Sequence, residues 1–110
     1  MKRYCLALDL VDDELSIKEY EALHQQVGPP IIQSIKEAGI LQMEIYRTGN
    51  RLFMIMETTD DFSFEKKSMA DAANEEVQEW EQLVWKYQQA LPGSRPGEKW
   101  VLMQNIFALI

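Results

Sequence analysis

Residues Leu41–Glu57 read LQMEIYRTGNRLFMIME, two apolar-rich runs joined through Thr48-Gly49-Asn50. In the first run Leu41, Met43 and Ile45 alternate with Gln42, Glu44 and Tyr46, which predicts a strand with one apolar and one mixed face. Thr48-Gly49-Asn50 is a short hairpin connection. The second run is apolar on both parities in its middle, so it predicts a central strand covered on both sides. This hairpin sits near the middle of the chain, and what flanks it decides the fold.

Towards the N-terminus, residues 2–11 alternate with Tyr4, Leu6, Leu8 and Leu10 on one parity and Cys5, Ala7 and Val11 on the other. That is a strand with one strongly apolar face. Asp12-Asp13-Glu14 sets acid where a helix begins, favourable for its dipole. Ile17, Tyr20, Leu23, His24 and Val27 then follow helical spacing. Gly28-Pro29-Pro30 interrupts it, and a second helical segment with Ile31, Ile32, Ile35 and Ala38 stops at Gly39.

On the other side of the hairpin, Asp60-Asp61 is expected to cap a third helical region holding Phe62, Phe64, Met69 and Ala70. Asn74 caps a long helix whose stripe is Val77, Trp80, Leu83, Val84, Tyr87 and Leu91, ended by Pro92-Gly93. A Gly93–Gly97 loop leads into a last strand, Trp100–Leu109, apolar on both parities. The order β-α-β-β-α-β predicts an α+β, ferredoxin-like fold, a four-stranded antiparallel sheet with helices on one face. At 110 residues the chain holds one core and one domain, residues 1–110. Two strands are apolar on both faces while the helices cover only one. A homodimer of the dimeric α/β-barrel type, sheet facing sheet, is the expected answer.

The net charge is -7 and no basic cluster exceeds Lys66-Lys67, so nucleic acid is not an expected partner. No apolar run spans a membrane, and the N-terminus Met1-Lys2-Arg3-Tyr4 enters a strand rather than a signal peptide. The single Cys5 forms no internal disulfide and six methionines are an oxidation liability, so the expected compartment is the cytoplasm.

His24 is the only histidine and shares a helix face with Tyr20, four residues earlier. Spacing alone leaves two readings, a structural histidine or a proton-transfer residue. No second histidine or neighbouring cysteine offers a metal site, and there is no phosphate-cradling loop or dinucleotide fingerprint, so neither metal nor cofactor is expected. Glu44 and Glu57, on adjoining hairpin strands, are an acid-base pair or ion-paired surface groups, with Arg47 and Arg51 available as partners. Trp80 and Tyr87 belong to the helix stripe, whereas Trp85 falls off it and faces a partner or a pocket. Cys5 reads as a small core residue.

From Tyr20 to Tyr46 the chain reads YEALHQQVGPPIIQSIKEAGILQMEIY. With the hairpin, the Gln78-Glu79-Trp80 helix and the terminal Asn105-Ile106-Phe107-Ala108-Leu109 run, this resembles the L-rhamnose mutarotase family over nearly the whole chain. The resemblance implies His24 as the catalytic proton donor and Tyr20 as a sugar contact. Trp80 matches the first residue of a sugar-contacting Trp-Trp pair whose second position is here Glu81. A further sugar-contacting tyrosine is replaced by Met43. MEIYRTGNRLFMIME and PGEKWVLMQNIF resemble the L-fucose mutarotase branch, which implies L-fucose as substrate with L-rhamnose as runner-up.

The chemistry implied is interconversion of the α and β anomers of a monosaccharide. It needs one group to protonate the ring oxygen and another to accept the anomeric hydroxyl proton. A histidine suits the first, and a tyrosine hydroxyl, a carboxylate or a held water the second. Two other readings stand beside it. One is a different enzyme on a dimeric ferredoxin-like scaffold, such as a small oxygenase, and the other is a non-catalytic sugar-binding or regulatory dimer.

Overall fold

The computed structural model describes residues 1–110. The chain runs β1 (Lys2–Leu10), α1 (Glu14–His24), α2 (Pro29–Glu37), β2 (Ile40–Thr48), β3 (Arg51–Thr58), α3 (Phe64–Ala72), α4 (Glu75–Trp85), β4 (Gln88–Gln89) and β5 (Val101–Leu102). The antiparallel sheet has the order β2-β3-β1-β4, and β5 pairs with β1 as well. Each strand-to-strand crossover carries two helices, so the predicted β-α-β-β-α-β order holds with both helical layers split.

Local chemistry explains most boundaries. Asp13 accepts from the Ser16 N–H at 2.9 Å and the Ser16 hydroxyl at 2.8 Å. These two bonds hold its carboxyl below the usual range and close the first turn of α1. Prolines occupy the first turn of α2, where their missing N–H costs nothing. Gly39 ends α2 at φ 93°, and a Cβ there would lie 2.8 Å from the Thr59 hydroxyl oxygen. Both the backbone sign and the close approach therefore demand glycine. Gly49, at φ 57°, opens the two-residue turn between β2 and β3, where a positive φ is required.

Four predicted boundaries move, the first being that of α1, which ends at His24 instead of running through Val27 to the Gly28 break. The third helix is capped by Ser63, which accepts from the Lys66 N–H at 3.2 Å, and not by Asp60-Asp61. Phe62 lies ahead of that helix and is buried in the core. The long helix, capped by Asn74 as predicted, ends at Trp85 rather than Leu91. At Tyr87 the carbonyl accepts from the Val11 N–H at 2.8 Å, and Gln88-Gln89 pair with Leu10 and Asp9. The open edge of β1 offers a full set of backbone partners there, and this outweighs continuing the helix. The last strand covers only Val101–Leu102, opposite Ala7 and Leu6, instead of Trp100–Leu109. Beyond the bond from the Met103 N–H to the Cys5 carbonyl, at 2.7 Å, the chain leaves the sheet. Ile106, Phe107, Leu109 and Ile110 are thrown outward, each at least 70% exposed.

Register assigns the two faces. Leu6, Leu8 and Leu10 of β1 lie opposite or beside Leu52, Met54 and Met56 of β3, and Met43, Ile45 and Arg47 of β2 continue this face. Here sits the core, in two clusters. Leu8, Leu10, Leu52, Tyr20 and Val84 form one, and Leu6, Ile40, Met56 and Phe62 the other. Each fully buried leucine contributes about 1.5–3 kcal/mol. Trp100 packs against both clusters. The opposite face carries Cys5, Ala7, Phe53 and Ile55, half-buried and without a second layer. Buried Asp9, at the end of that face, accepts two bonds from Arg51, at 2.8 and 3.2 Å.

Candidate active site

The last turn of α1 and the middle of α4 meet at His24. The His24 ring lies 4.3 Å, centroid to centroid, from the Tyr20 ring, and 5.2 Å from Trp80 in an edge-on arrangement. Its Nδ1 is 2.9 Å from the Tyr20 carbonyl oxygen. A carbonyl can only accept, so Nδ1 carries a proton and Nε2 is the nitrogen that gains or loses one. The ring is thus fixed by one hydrogen bond and two aromatic contacts, with its reactive nitrogen uncommitted.

Tyr20 is 4% exposed and its hydroxyl accepts from Gln88 Nε2 at 3.4 Å. Burial raises its pKa above the ordinary phenol range, an effect the Gln88 bond only partly offsets. Its phenol therefore stays protonated near neutrality, and it acts on the site through the ring and backbone that hold His24.

Met43 is half-buried on the helix-side face of β2 and packs against the cluster of Leu6, Ile40, Met56 and Phe62. Two and four residues further on, Ile45 and Arg47 lie on the same face yet are exposed. The helical layer therefore stops short of β2 and leaves an uncovered floor beside α1. Across that floor Arg47 Nη2 reaches Glu21 Oε1 at 3.0 Å. Arg47 Nη1 donates to the Gly49 carbonyl at 2.7 Å.

Trp80 and Glu81 diverge. Trp80 packs against the first core cluster and His24. Glu81 accepts from Gln78 Nε2 at 3.3 Å and lies on the α3 side of its helix. Partial desolvation there, and then the charge of Asp71, raise its carboxyl above the usual range. The structure thus brings together Tyr20, His24 and Trp80, sets Met43 on the adjoining strand, and turns Glu81 towards another helix.

Glu44 and Glu57 are on the opposite face of the sheet, where Glu44 accepts from the Tyr46 hydroxyl at 2.6 Å and Glu57 from Arg3 at 3.3 Å. Neither pairs with Arg47 or Arg51, whose partners are Glu21 and Asp9. Trp85, off the stripe as expected, is half exposed beneath the Lys99 ammonium, 3.9 Å from its ring centroid. A groove of about 710 Å³ opens between α1, α2 and α4, over Leu23, Trp80 and Tyr87 with Glu19, Glu76 and Glu79 at its margin. His24 and Tyr20 do not line it. Its titratable margin is carboxylate and phenol, with no histidine.

Sequence reasoning missed Gln88, Trp100 and the Glu21–Arg47 pair. Gln88 was hidden inside a predicted helix, Trp100 packs against both core clusters from outside the last strand, and Arg47 reaches Glu21 only through the register of β2. No helix is long and apolar enough to cross a membrane.

The L-rhamnose mutarotase family profile matches residues 3–109. An L-fucose mutarotase of Xanthomonas campestris pv. campestris is 45% identical over 111 positions, covering 99% of this chain and 89% of that protein. The crystal structure of an L-rhamnose mutarotase from Formosa agariphila superposes with a TM-score of 0.73 at 20% identity, covering all of both chains. Tetracenomycin F2 cyclase of Streptomyces glaucescens, a type-II polyketide cyclase, reaches 0.63 at 15% identity over 100% of this chain and 98% of its own. A dimeric ferredoxin-like protein from an uncultured marine organism reaches 0.54 at 12% identity, covering 96% and 90%. At such identities the structural likenesses establish the α+β fold alone.

Proposed function

The chain belongs to the L-rhamnose mutarotase family, and from that premise we propose that it interconverts the α and β anomers of L-fucose, with L-rhamnose as second choice. The observation that carries the chemistry is His24, its Nδ1 tied to the Tyr20 carbonyl and its Nε2 left to exchange a proton. The protonated Nε2 gives its proton to the ring oxygen of the pyranose. The ring opens to the aldehyde, rotation about the first carbon–carbon bond exposes the other face, and the reverse transfer closes it. Kinship with the Xanthomonas protein supports the choice of sugar.

In this reading residues 1–110 form one mutarotase domain. Tyr20 and Trp80 supply aromatic walls and Met43 an apolar floor, while Glu81, turned towards α3, stands apart from them. The half-buried apolar face and the outward tail support a homodimer, and the composition supports the cytoplasm.

The test is saturation-transfer NMR of anomeric exchange for L-fucose, L-rhamnose and D-glucose at equal enzyme and sugar, with spontaneous rates subtracted. The expected order is L-fucose first. A faster catalysed rate for L-rhamnose would overturn the sugar assignment, and equal acceleration of D-glucose would argue against a 6-deoxy-sugar pocket. In the same assay Met43→Tyr restores a hydroxyl beside the floor. It should raise the L-rhamnose to L-fucose rate ratio about tenfold, the worth of one hydrogen bond. An unchanged ratio would remove Met43 from the pocket.

A further inference from the structure

Anomer exchange needs a proton acceptor as well as a donor, and the side chains around His24 narrow the choice. Tyr20 is buried with its hydroxyl engaged by Gln88. Glu44 and Glu57 lie across the sheet, and Glu81 is turned to Gln78 and α3. Glu19 lines the outer groove with Tyr87. Glu21 differs from all of these. It stands three residues before His24 on α1, and neighbours at that spacing have Cβ atoms about 5–6 Å apart. That separation suits two groups that must flank one sugar carbon.

The same carboxylate is aimed by the sheet. Arg47, on the helix-side face of β2, holds Glu21 at 3.0 Å, and Arg47 is itself anchored on the Gly49 carbonyl at 2.7 Å. The pair therefore spans the floor that the helices leave uncovered, from the hairpin to the turn that carries His24. Both side chains remain open to solvent, at 36% for Arg47 and 50% for Glu21, so a sugar hydroxyl can reach the free carboxylate oxygen. An exposed ion pair of this kind adds little to stability.

We propose that Glu21 is the second proton-transfer group of the mutarotase reaction and that Arg47 is the residue positioning it, an inference that rests on the mutarotase reading. In ring opening the Glu21 carboxylate takes the proton of the anomeric hydroxyl while the His24 imidazolium gives its Nε2 proton to the ring oxygen. The bond from the anomeric carbon to the ring oxygen breaks, its electron pair staying on that oxygen, and the carbonyl forms. In closure the ring hydroxyl returns its proton to His24 as its oxygen attacks the other carbonyl face. Glu21 then returns its proton to the anomeric oxygen, and no net proton or electron is exchanged.

The experiment measures L-fucose exchange for the wild type, Glu21→Gln, Glu21→Ala with and without formate, Arg47→Lys and Arg47→Ala. Glutamine keeps the shape and an oxygen for Arg47, so a merely structural Glu21 would leave the rate intact. The expected result is a fall in kcat of about a hundredfold for Glu21→Gln with little change in KM. Formate should restore part of the rate to Glu21→Ala, and Arg47→Lys should retain more activity than Arg47→Ala. A Glu21→Gln rate within threefold of an active wild type, or no rescue by formate, overturns the proposal while leaving the mutarotase reading in place. A wild type silent on every sugar overturns both.

Discussion

Replacing His24 by alanine is expected to lower the catalysed anomer exchange by at least about a hundredfold while the protein stays folded. The ring is half-buried, touching Tyr20 and Trp80 and bonded to the Tyr20 carbonyl. Its removal forfeits those contacts at the edge of the first core cluster, but the half-buried ring is not itself one of the buried residues of either cluster, so no large void opens. The Tyr20 carbonyl loses only the imidazole, because the backbone N–H of position 24 is its partner in the helix ladder. Stability should therefore fall by about 1 kcal/mol, which for a domain of this size lowers Tm by roughly 4–8 °C. Exchange spectroscopy, circular dichroism and sugar titration on one preparation check the result. Retained binding with lost exchange separates catalysis from a sugar-binding or regulatory dimer. A folded variant with near-native exchange would falsify the assignment of His24.

The second large effect concerns the face without helices. The protein should sediment as a dimer at low micromolar concentration, and Ile55→Lys should dissociate it. Ile55 is half-buried in the middle of β3, opposite Cys5 on one side and Glu44 on the other. In a lone subunit the new ammonium sits across from the Glu44 carboxylate, so the monomer keeps its fold. In a two-fold dimer the substitution occurs twice, and each charge loses water for an apolar surface. At about 2 kcal/mol apiece the dissociation constant rises roughly a thousandfold. Sedimentation of a stable wild-type monomer, or an unmoved equilibrium in the variant, would overturn the dimer and leave the open face to be covered by the chain's own tail.

By itself, the sequence determined the elements whose causes are local. The strands read in residues 2–11 and 41–57, the helical spacing from Ile17 to His24, the glycines at 39 and 49 and the cap at Asn74 all reappear in the structure, β1 ending at Leu10. Each depends on side-chain periodicity, backbone sign or a hydrogen bond within a few residues, so neighbours in the chain suffice to read it. The Tyr20–His24 pairing was legible for the same reason, being one helical turn.

Tertiary structure alone decided the rest. Helix α4 ends at Trp85, not Leu91, because the unpaired edge of β1 draws Tyr87 and Gln88 into the sheet, a competition no local pattern records. The last strand stops at Leu102 and its apolar continuation points outward. Its pattern matches a surface that one chain does not supply. Met43 and Arg47 share a face with buried Leu52 and Met56 only through strand register, which also carries Glu44 and Glu57 to the far side. Register is set by pairing between distant segments, and a shift of one residue would exchange the two faces. Glu21 and Arg47, 26 positions apart in sequence, therefore meet for a reason that no reading along the chain could reach.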